Sequence, residues 1–236
     1  MASKKFTLYT SHRCPWANRA HIALAELGLE FEEVIIDLDK PREEWYLKEV
    51  NPRGLVPALK YGDEVIIESG IITQFLADAF PSHLAPNTGT PEAALLRARI
   101  NIFVDTFVSK IVGPARGLYI ASSEEEKRAN ASKIVATIKN DIAPLLSDAA
   151  PFFGGSKKPT LAEVNTASFV VRYYALAKKE HGLIPEEFVG ELKGIETWQK
   201  WVDEVLKLES LLGIWNEAHV VEVTKRMVEK AKAQAK

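Results

Sequence analysis

Phe6-Thr7-Leu8-Tyr9-Thr10, followed after two residues by Arg13-Cys14-Pro15-Trp16-Ala17, decides the reading of this 236-residue chain. The first run has the composition of a short strand, and Asn18 to Leu27 is an Ala/Leu-rich helix that Gly28 can stop. Pro15 suits the first turn of that helix, where its missing N–H costs nothing, so Cys14 stands at the helix entrance. A thiol there meets unpaired backbone N–H groups and the positive end of a helix dipole, and Arg13 adds a charge. These predict a Cys14 pKa well below the ordinary ~8.5. The alternative is a small buried hydrophobe. Cys14 is the only cysteine, and Ala17 stands where a Cys-x-x-Cys pair would have its second thiol. A nucleophilic thiol of this kind must borrow its resolving partner from another molecule.

Working outward, Phe31-Glu32-Glu33-Val34-Ile35-Ile36 reads as a second strand, and residues 40–50 as a charged helical or irregular stretch. Val56-Pro57-Ala58-Leu59-Lys60 and Glu64-Val65-Ile66-Ile67-Glu68, joined by Tyr61-Gly62-Asp63, carry a hairpin signal. A helix over 69–79 sets Ile71, Ile72, Phe75, Leu76 and Ala79 on one apolar face. The order is βαβ and then ββα, which implies a mixed four-stranded sheet with flanking helices. Four Pro and Gly positions (Pro81, Pro86, Gly89 and Pro91) mark 81–91 as a linker. Beyond it strand signals almost vanish. Helical periodicity runs over 92–120, 124–146, 161–179 and 195–212, and 220–236 is a Lys-rich terminal helix or tail. Thr160-Leu161-Ala162-Glu163 is a capping box, a structural motif, with Pro159 and Val164 placed for the flanking hydrophobic contact.

Composition excludes several classes. The chain is 47% apolar and 26% charged with a formal net charge of -2, which offers no electrostatic attraction to nucleic acid or an anionic membrane. No apolar run approaches the ~20 residues of a membrane span. The opening Met1-Ala2-Ser3-Lys4-Lys5 runs into a strand rather than an apolar signal segment, so a reducing cytosol is the expected location. Five scattered histidines have no metal-ligand spacing with Cys14, and no metal is expected.

Two further loops carry chemistry. In Asn51-Pro52-Arg53-Gly54-Leu55-Val56-Pro57, a proline opening a strand is awkward unless its missing N–H faces an opening. A cis Val56–Pro57 bond would turn the Val56 N–H and C=O to a cleft, where they pair with an extended peptide; an ordinary turn before an edge strand is the alternative. In Glu68-Ser69-Gly70, Ser69 is either a simple N-cap or, with the free amides, a carboxylate site beside which Glu68 holds an ammonium. Taken together, a thiolate, a peptide-pairing edge and an amino-acid clamp describe a site for a thiol-containing peptide.

On these residues the chain resembles a cytosolic glutathione transferase of the cysteine type, with the omega class and its fungal relatives the nearest pattern. The matching stretches are Cys14-Pro15-Trp16-Ala17, Asn51-Pro52-Arg53-Gly54-Leu55-Val56-Pro57-Ala58-Leu59, Ile67-Glu68-Ser69-Gly70-Ile71, and Phe75-Leu76 with Phe80-Pro81. Phe153-Gly154-Gly155 and the Thr160 cap fit the family's second half, although the family usually has Asp where Glu163 stands. The resemblance implies an α/β thioredoxin-like glutathione-binding domain over 1–80 followed by an all-α domain over 92–236. It implies that Cys14 forms a mixed disulfide with glutathione and that Trp16 lines the pocket. Val56, ahead of cis-Pro57, would pair with the cysteinyl part, and Glu68 and Ser69 would hold the γ-glutamyl ammonium and carboxylate. The basic contact to the glycine carboxylate falls on Arg42, with Lys40 left open. The acceptor pocket would lie between Trp16 and the first long helix of the second half, with Ile102, Phe103, Phe107 and Ile111 as candidates and core as the alternative.

The implied activity is a glutathione-dependent thiol transferase that removes glutathione from substrates or reduces small disulfides or dehydroascorbate, with glutathione as co-substrate. Trp16, where the omega pattern has Phe or Tyr, is similar to the glutathionyl-hydroquinone reductases and keeps that activity open. A non-catalytic binder of glutathione and apolar ligands is the third reading. The resemblance also implies a homodimer.

Overall fold

The computed structural model describes residues 5–87 and 89–234. Met1–Lys4 of the N-terminal segment, Thr88 within the expected linker, and Ala235 and Lys236 of the expected terminal helix or tail lie outside the described residues.

The first half is a four-stranded mixed sheet with helices on it. Strand β1 (Phe6–Thr10) leads through the Cys14 loop into α1 (Pro15–Glu26), then β2 (Phe31–Ile35), α2 (Glu44–Glu49), β3 (Ala58–Tyr61), β4 (Glu64–Ile67) and α3 (Ser69–Ala79). The sheet order is β2-β1-β3-β4, with β1 parallel to β2 and antiparallel to β3, and β3 antiparallel to β4. The expected βαβ-ββα arrangement is therefore present. Gly28, at φ +63°, closes α1 in the left-handed region that glycine adopts without strain. Strand β3 begins at Ala58, two residues later than expected, because Val56 and Pro57 stay off the ladder. Leu8 and Leu59 face Ile22, Leu24, Ile72 and Leu76 in a buried layer between sheet and helices.

The second half is helical: α4 (Pro91–Phe107), α5 (Glu124–Thr137), α6 (Leu161–Leu176), α7 (Glu187–Lys193), α8 (Glu196–Val205) and α9 (Glu217–Gln234), with short helical turns between. Three runs expected to be continuous helix are interrupted, that over 195–212 between Val205 and Glu209 and the other two at π-helical turns. A π-helical turn at Val108–Val112 precedes Pro114, and another at Ile138–Ile142 precedes Pro144 by the same two residues. Proline has no N–H for the carbonyl four residues back and its ring crowds that carbonyl, so the preceding turn widens. Helix α7 was not expected; only Phe188 and Leu192 of its seven residues are buried, too short a pattern to read as periodicity.

Helix α6 is the brace between the halves. Thr160 and Glu163 cap it: the Glu163 carboxylate accepts from the Thr160 N–H at 2.7 Å, and Thr160 Oγ1 accepts from the Ala162 N–H at 3.1 Å. From that helix the Ser168 hydroxyl donates to the Pro15 carbonyl at 2.8 Å and Arg172 donates to the Arg13 carbonyl at 2.9 Å. Both neighbours of Cys14 are thus held by the second half of the chain.

Candidate functional site

Cys14 occupies the N-cap position of α1 in extended geometry, with its N–H bonded to the Ser11 carbonyl at 2.9 Å. The fully buried Asn18 amide, turned with its nitrogen toward the loop, donates to the His12 and Cys14 carbonyls at 3.0 Å each. The Cys14 thiol lies 4.0 Å from the Val56 carbonyl oxygen and lines two cavities at once, one on each side of it.

The first cavity, 370 Å³, lies within the sheet domain between Cys14, Val56-Pro57 and Glu68-Ser69. The Val56–Pro57 peptide is cis. The approach loop is fixed by Asn51 and Tyr46, whose side chains both bond the Leu55 carbonyl, at 2.9 and 2.7 Å. Gly54 sits at φ +65°, a conformation that favours glycine, and a Cβ there would also crowd Arg42 Cγ at 3.0 Å. Arg42 lines this cavity, yet three of its contacts go to backbone carbonyls of Gly54, Asp37 and Lys40. It braces the wall as well as facing it. Lys40 pairs with Asp37 at the surface, outside the lining.

Glu68 is the one non-glycine described residue at positive φ, +69°, a sparsely populated conformation held by the packing around it. Its carboxylate pairs with Arg53, which sequence reasoning had passed over. Ser69 is the first residue of α3 rather than its cap, and the helix has no side-chain cap. The buried Ser69 hydroxyl and the first amides of α3 are therefore not consumed by capping. The N-cap reading of Ser69 is corrected on this geometry.

The second cavity, 970 Å³, lies between the halves on the other side of the thiol. Trp16 stands in its wall edge-to-face with Phe169, 4.9 Å between ring centres. The residues expected to line it do not. Phe103, Phe107 and Ile111 are fully buried in the core and Ile102 is exposed, while the wall is formed by Val108 and Val112. The stripe that faces the cleft lies one position further along the chain, with Val108 and Val112 in place of Phe107 and Ile111.

Two guanidinium groups flank Cys14, the buried Arg19 and the part-buried Arg172, and neither is singled out by the sequence. Arg19 lies 4.4 Å from the centre of the Trp16 ring and its Nη1 donates to Ser69 Oγ at 3.4 Å. Its Nε and Nη2 have no partner among the described residues, and burial lowers its pKa to about 10. Arg172 likewise has an unpartnered Nε, and burial lowers its pKa. The available signal was an arginine inside an otherwise apolar helical run, as in Phe169-Val170-Val171-Arg172-Tyr173.

The electrostatics correct the expectation for the thiol. Burial pushes the Cys14 thiol up, against the N–H groups of Ala17 and Trp16 and the charges of Arg172 and Arg13, which pull it down. Cys14 keeps part of its surface open, but the walls of both cavities displace the water that would solvate a thiolate. The helix entrance is as expected; the apolar surroundings outweigh it.

Two groups of potential metal ligands come together that the sequence scattered: His12, His21 and Glu33, and Glu180, His181 and Glu217. Both are internally paired. His12 Nε2 lies 2.6 Å from Glu33 Oε1, and the Lys178 ammonium reaches both Glu217 oxygens at 2.7 and 2.8 Å. Burial lowers the His21 pKa to about 3. No helix among the described residues is long and apolar enough to cross a membrane.

Residues 8–87 match the family described as glutathione S-transferase, N-terminal domain. Over 81 residues, 34% of this chain and 32% of the other, the chain is 37% identical to glutathione transferase omega-1 of Caenorhabditis elegans. Over 158 residues, 65% of this chain and 66% of the other, it is 34% identical to probable glutathione S-transferase GSTU1 of Oryza sativa subsp. japonica. The matched stretches thus span about a third and just under two thirds of these curated relatives. The crystal structure of glutathione transferase Omega 2C from Trametes versicolor superimposes with a TM-score of 0.76 at 27% identity, covering 96% of this chain and 99% of that one.

Proposed function

We propose that this chain, which carries a glutathione S-transferase N-terminal domain and is a relative of the omega-class glutathione transferases, is a glutathione-dependent thiol transferase acting through Cys14. The observation that carries the reading is the position of the Cys14 sulfur at the junction of the two cavities, 4.0 Å from the Val56 carbonyl. Glutathione takes the 370 Å³ cavity: its cysteinyl backbone pairs with Val56 beside Pro57, and its γ-glutamyl head meets Glu68, Ser69 and the first amides of α3. Arg42 stands nearest for the glycine carboxylate. The acceptor takes the 970 Å³ cavity.

The Cys14 thiolate attacks the glutathionyl sulfur of a mixed disulfide, the bond to the acceptor sulfur breaks, and the acceptor leaves as a thiol after taking a proton. A second glutathione thiolate then attacks the glutathione sulfur bound to Cys14, releasing glutathione disulfide and regenerating the Cys14 thiolate. The raised thiol fits this sequence. With glutathione absent, the thiol proton has the Val56 carbonyl as acceptor. Bound glutathione claims that carbonyl through its cysteinyl N–H. The amides of Trp16 and Ala17 and the guanidinium groups of Arg172 and Arg13 then remain to hold a thiolate.

The raised thiol also supports a second reading, a protein that holds glutathione and an apolar ligand without reacting them. Hydroxyethyl disulfide, dehydroascorbate and a glutathionyl-hydroquinone, assayed side by side with glutathione, separate the readings. Turnover of the first that Cys14→Ser abolishes supports the transferase; turnover confined to the quinone conjugate points to the reductase. No turnover of any leaves the binder. The reading includes residues 1–80 as the glutathione-binding half, 81–91 as linker and 92–236 as the acceptor half, a cytoplasmic location and no resident metal. It also includes a homodimer, supported by exposed Ile71 on α3 and exposed Leu95 and Ile102 on α4.

A further inference from the structure

We propose that the acceptor cavity selects an aromatic anion, a flat ring bearing a carboxylate, and that Arg172 is the group that recognises its charge. The proposal rests on the reading of the 970 Å³ cavity as the acceptor site and adds the class of acceptor. Arg172 lies on the fourth turn of α6 and lines the cavity. One contact goes to the Arg13 carbonyl at 2.9 Å; the Nε, out of contact with water, has no partner among the described residues. The groups that share its electrostatic environment are the Tyr119 and Tyr173 phenols and the Cys14 thiol, all pushed toward their neutral forms by burial. Among the described residues no carboxylate is paired with it, and its other contact is the face of the Trp215 ring, 5.9 Å from the guanidinium carbon. A part-buried guanidinium whose Nε is sealed from water, with no counter-ion among the described residues, is a costly arrangement, and an anionic ligand that brings the missing charge reduces the cost.

The rest of the cavity fits the same ligand. Its lining holds Arg13, Arg116, Arg172, Arg226 and Lys230 against one carboxylate, Asp39, in a chain whose formal net charge is -2. Asp39 is committed to Arg13 through two contacts of 2.8 Å and lies 3.6 Å from Arg226, which leaves Arg172 uncompensated. Between these cations the walls are apolar: Trp16, Phe169, Val108, Val112 and Met227. A neutral apolar ligand would leave the guanidinium unpaired, and a small polar anion would leave the aromatic walls wet. A ring with one carboxylate satisfies both, with the planar fork of Arg172 suited to two carboxylate oxygens.

The test compares 2-naphthoate with methyl 2-naphthoate, two probes of nearly the same shape, by calorimetry on the intact chain in the presence of glutathione. The carboxylate is expected to bind at least tenfold more tightly than the ester and to slow alkylation of Cys14 by iodoacetamide. Arg172→Met should bring the two affinities to within about twofold, and Arg172→Lys should keep part of the difference, because it keeps the charge without the fork. The wild-type comparison stands even if a variant fails to fold. Equal affinity for acid and ester, a preference that survives Arg172→Met, or tight naphthoate binding that leaves Cys14 alkylation unchanged each overturns the proposal. None of these readouts requires turnover. Failure to reduce hydroxyethyl disulfide with the naphthoate preference intact removes the transferase reading alone.

Discussion

Replacing Glu163 by alanine should destabilise the chain severely, although the residue touches neither cavity. Its side chain is fully buried, and its carboxylate accepts from the Phe153 N–H at 2.9 Å, Trp201 Nε1 at 2.7 Å, the Thr160 N–H at 2.7 Å and the Thr160 hydroxyl at 2.8 Å. Phe153 and Trp201 are themselves almost wholly buried, so truncation orphans two donors that water does not reach. Each orphaned donor costs about 1–3 kcal/mol, and loss of the reciprocal cap adds about 1 kcal/mol. The sum, roughly 3–7 kcal/mol, is a large share of the 5–15 kcal/mol that stabilises an ordinary domain. Glu163→Gln keeps the shape and one acceptor oxygen but turns an NH2 toward a donor, and should lose about half as much. Urea unfolding followed by tryptophan fluorescence reads both differences. The damage should reach the site, because α6 starts at this cap and carries Ser168 and Arg172 to the carbonyls on either side of Cys14. An alanine variant that loses less than about 1 kcal/mol, or a glutamine variant equal to wild type, would refute the accounting by orphaned donors.

Three further outcomes are expected. Because burial penalises the thiolate, the Cys14 pKa lies above the ordinary cysteine value; in the protein without glutathione, iodoacetamide labelling should still be rising about tenfold per pH unit at pH 8.5. A plateau below pH 7.5 would mean that the helix entrance wins after all. Glu68→Ala should weaken glutathione binding about tenfold, the low end of the 1.5–3 kcal/mol of a charge-assisted bond, since Glu68 is half exposed and shares its charge with Arg53; Ser69→Ala, at a buried hydroxyl, should weaken it at least as much. Titration calorimetry giving unchanged affinity for both would sink the clamp. Sedimentation at micromolar concentration should give twice the chain mass of 26.3 kDa, and Leu95→Glu should shift it toward the single chain.

Much of the fold is legible in the sequence because its rules are local. Strand β1 and helix α3 have the bounds that their own composition predicts, Gly28 stops α1, and Tyr61-Gly62-Asp63 makes the hairpin. The cap at Thr160 and Glu163 is read within four residues and forms as read. In two runs of the second half, apolar periodicity continues past a proline where the helix does not. Pro114 and Pro144 each interrupt a helix that the apolar pattern alone runs through.

For the site, contiguous residues determined which loops carry chemistry: Cys14-Pro15 at a helix entrance, Val56-Pro57 at a strand opening, and Glu68-Ser69 at the start of α3. Tertiary structure decided what those groups can do. The Cys14 pKa depends on how much water two cavity walls exclude, and those walls come from α6, the Val108–Val112 turn and the Val56 loop, far apart in the chain. Ser69 is released from capping because the backbone turns at Glu68, a positive φ that no local preference of glutamate dictates. Phe107 and Val108 are adjacent apolar residues with equal claim to the cleft, and only the packing of α4 against α6 and α8 sends the first to the core and the second to the cavity. Arg19 and Arg172 read as ordinary helix residues until the fold seals their Nε atoms from water and, among the described residues, pairs neither with a carboxylate, because desolvation belongs to the assembled surroundings and not to the residue itself.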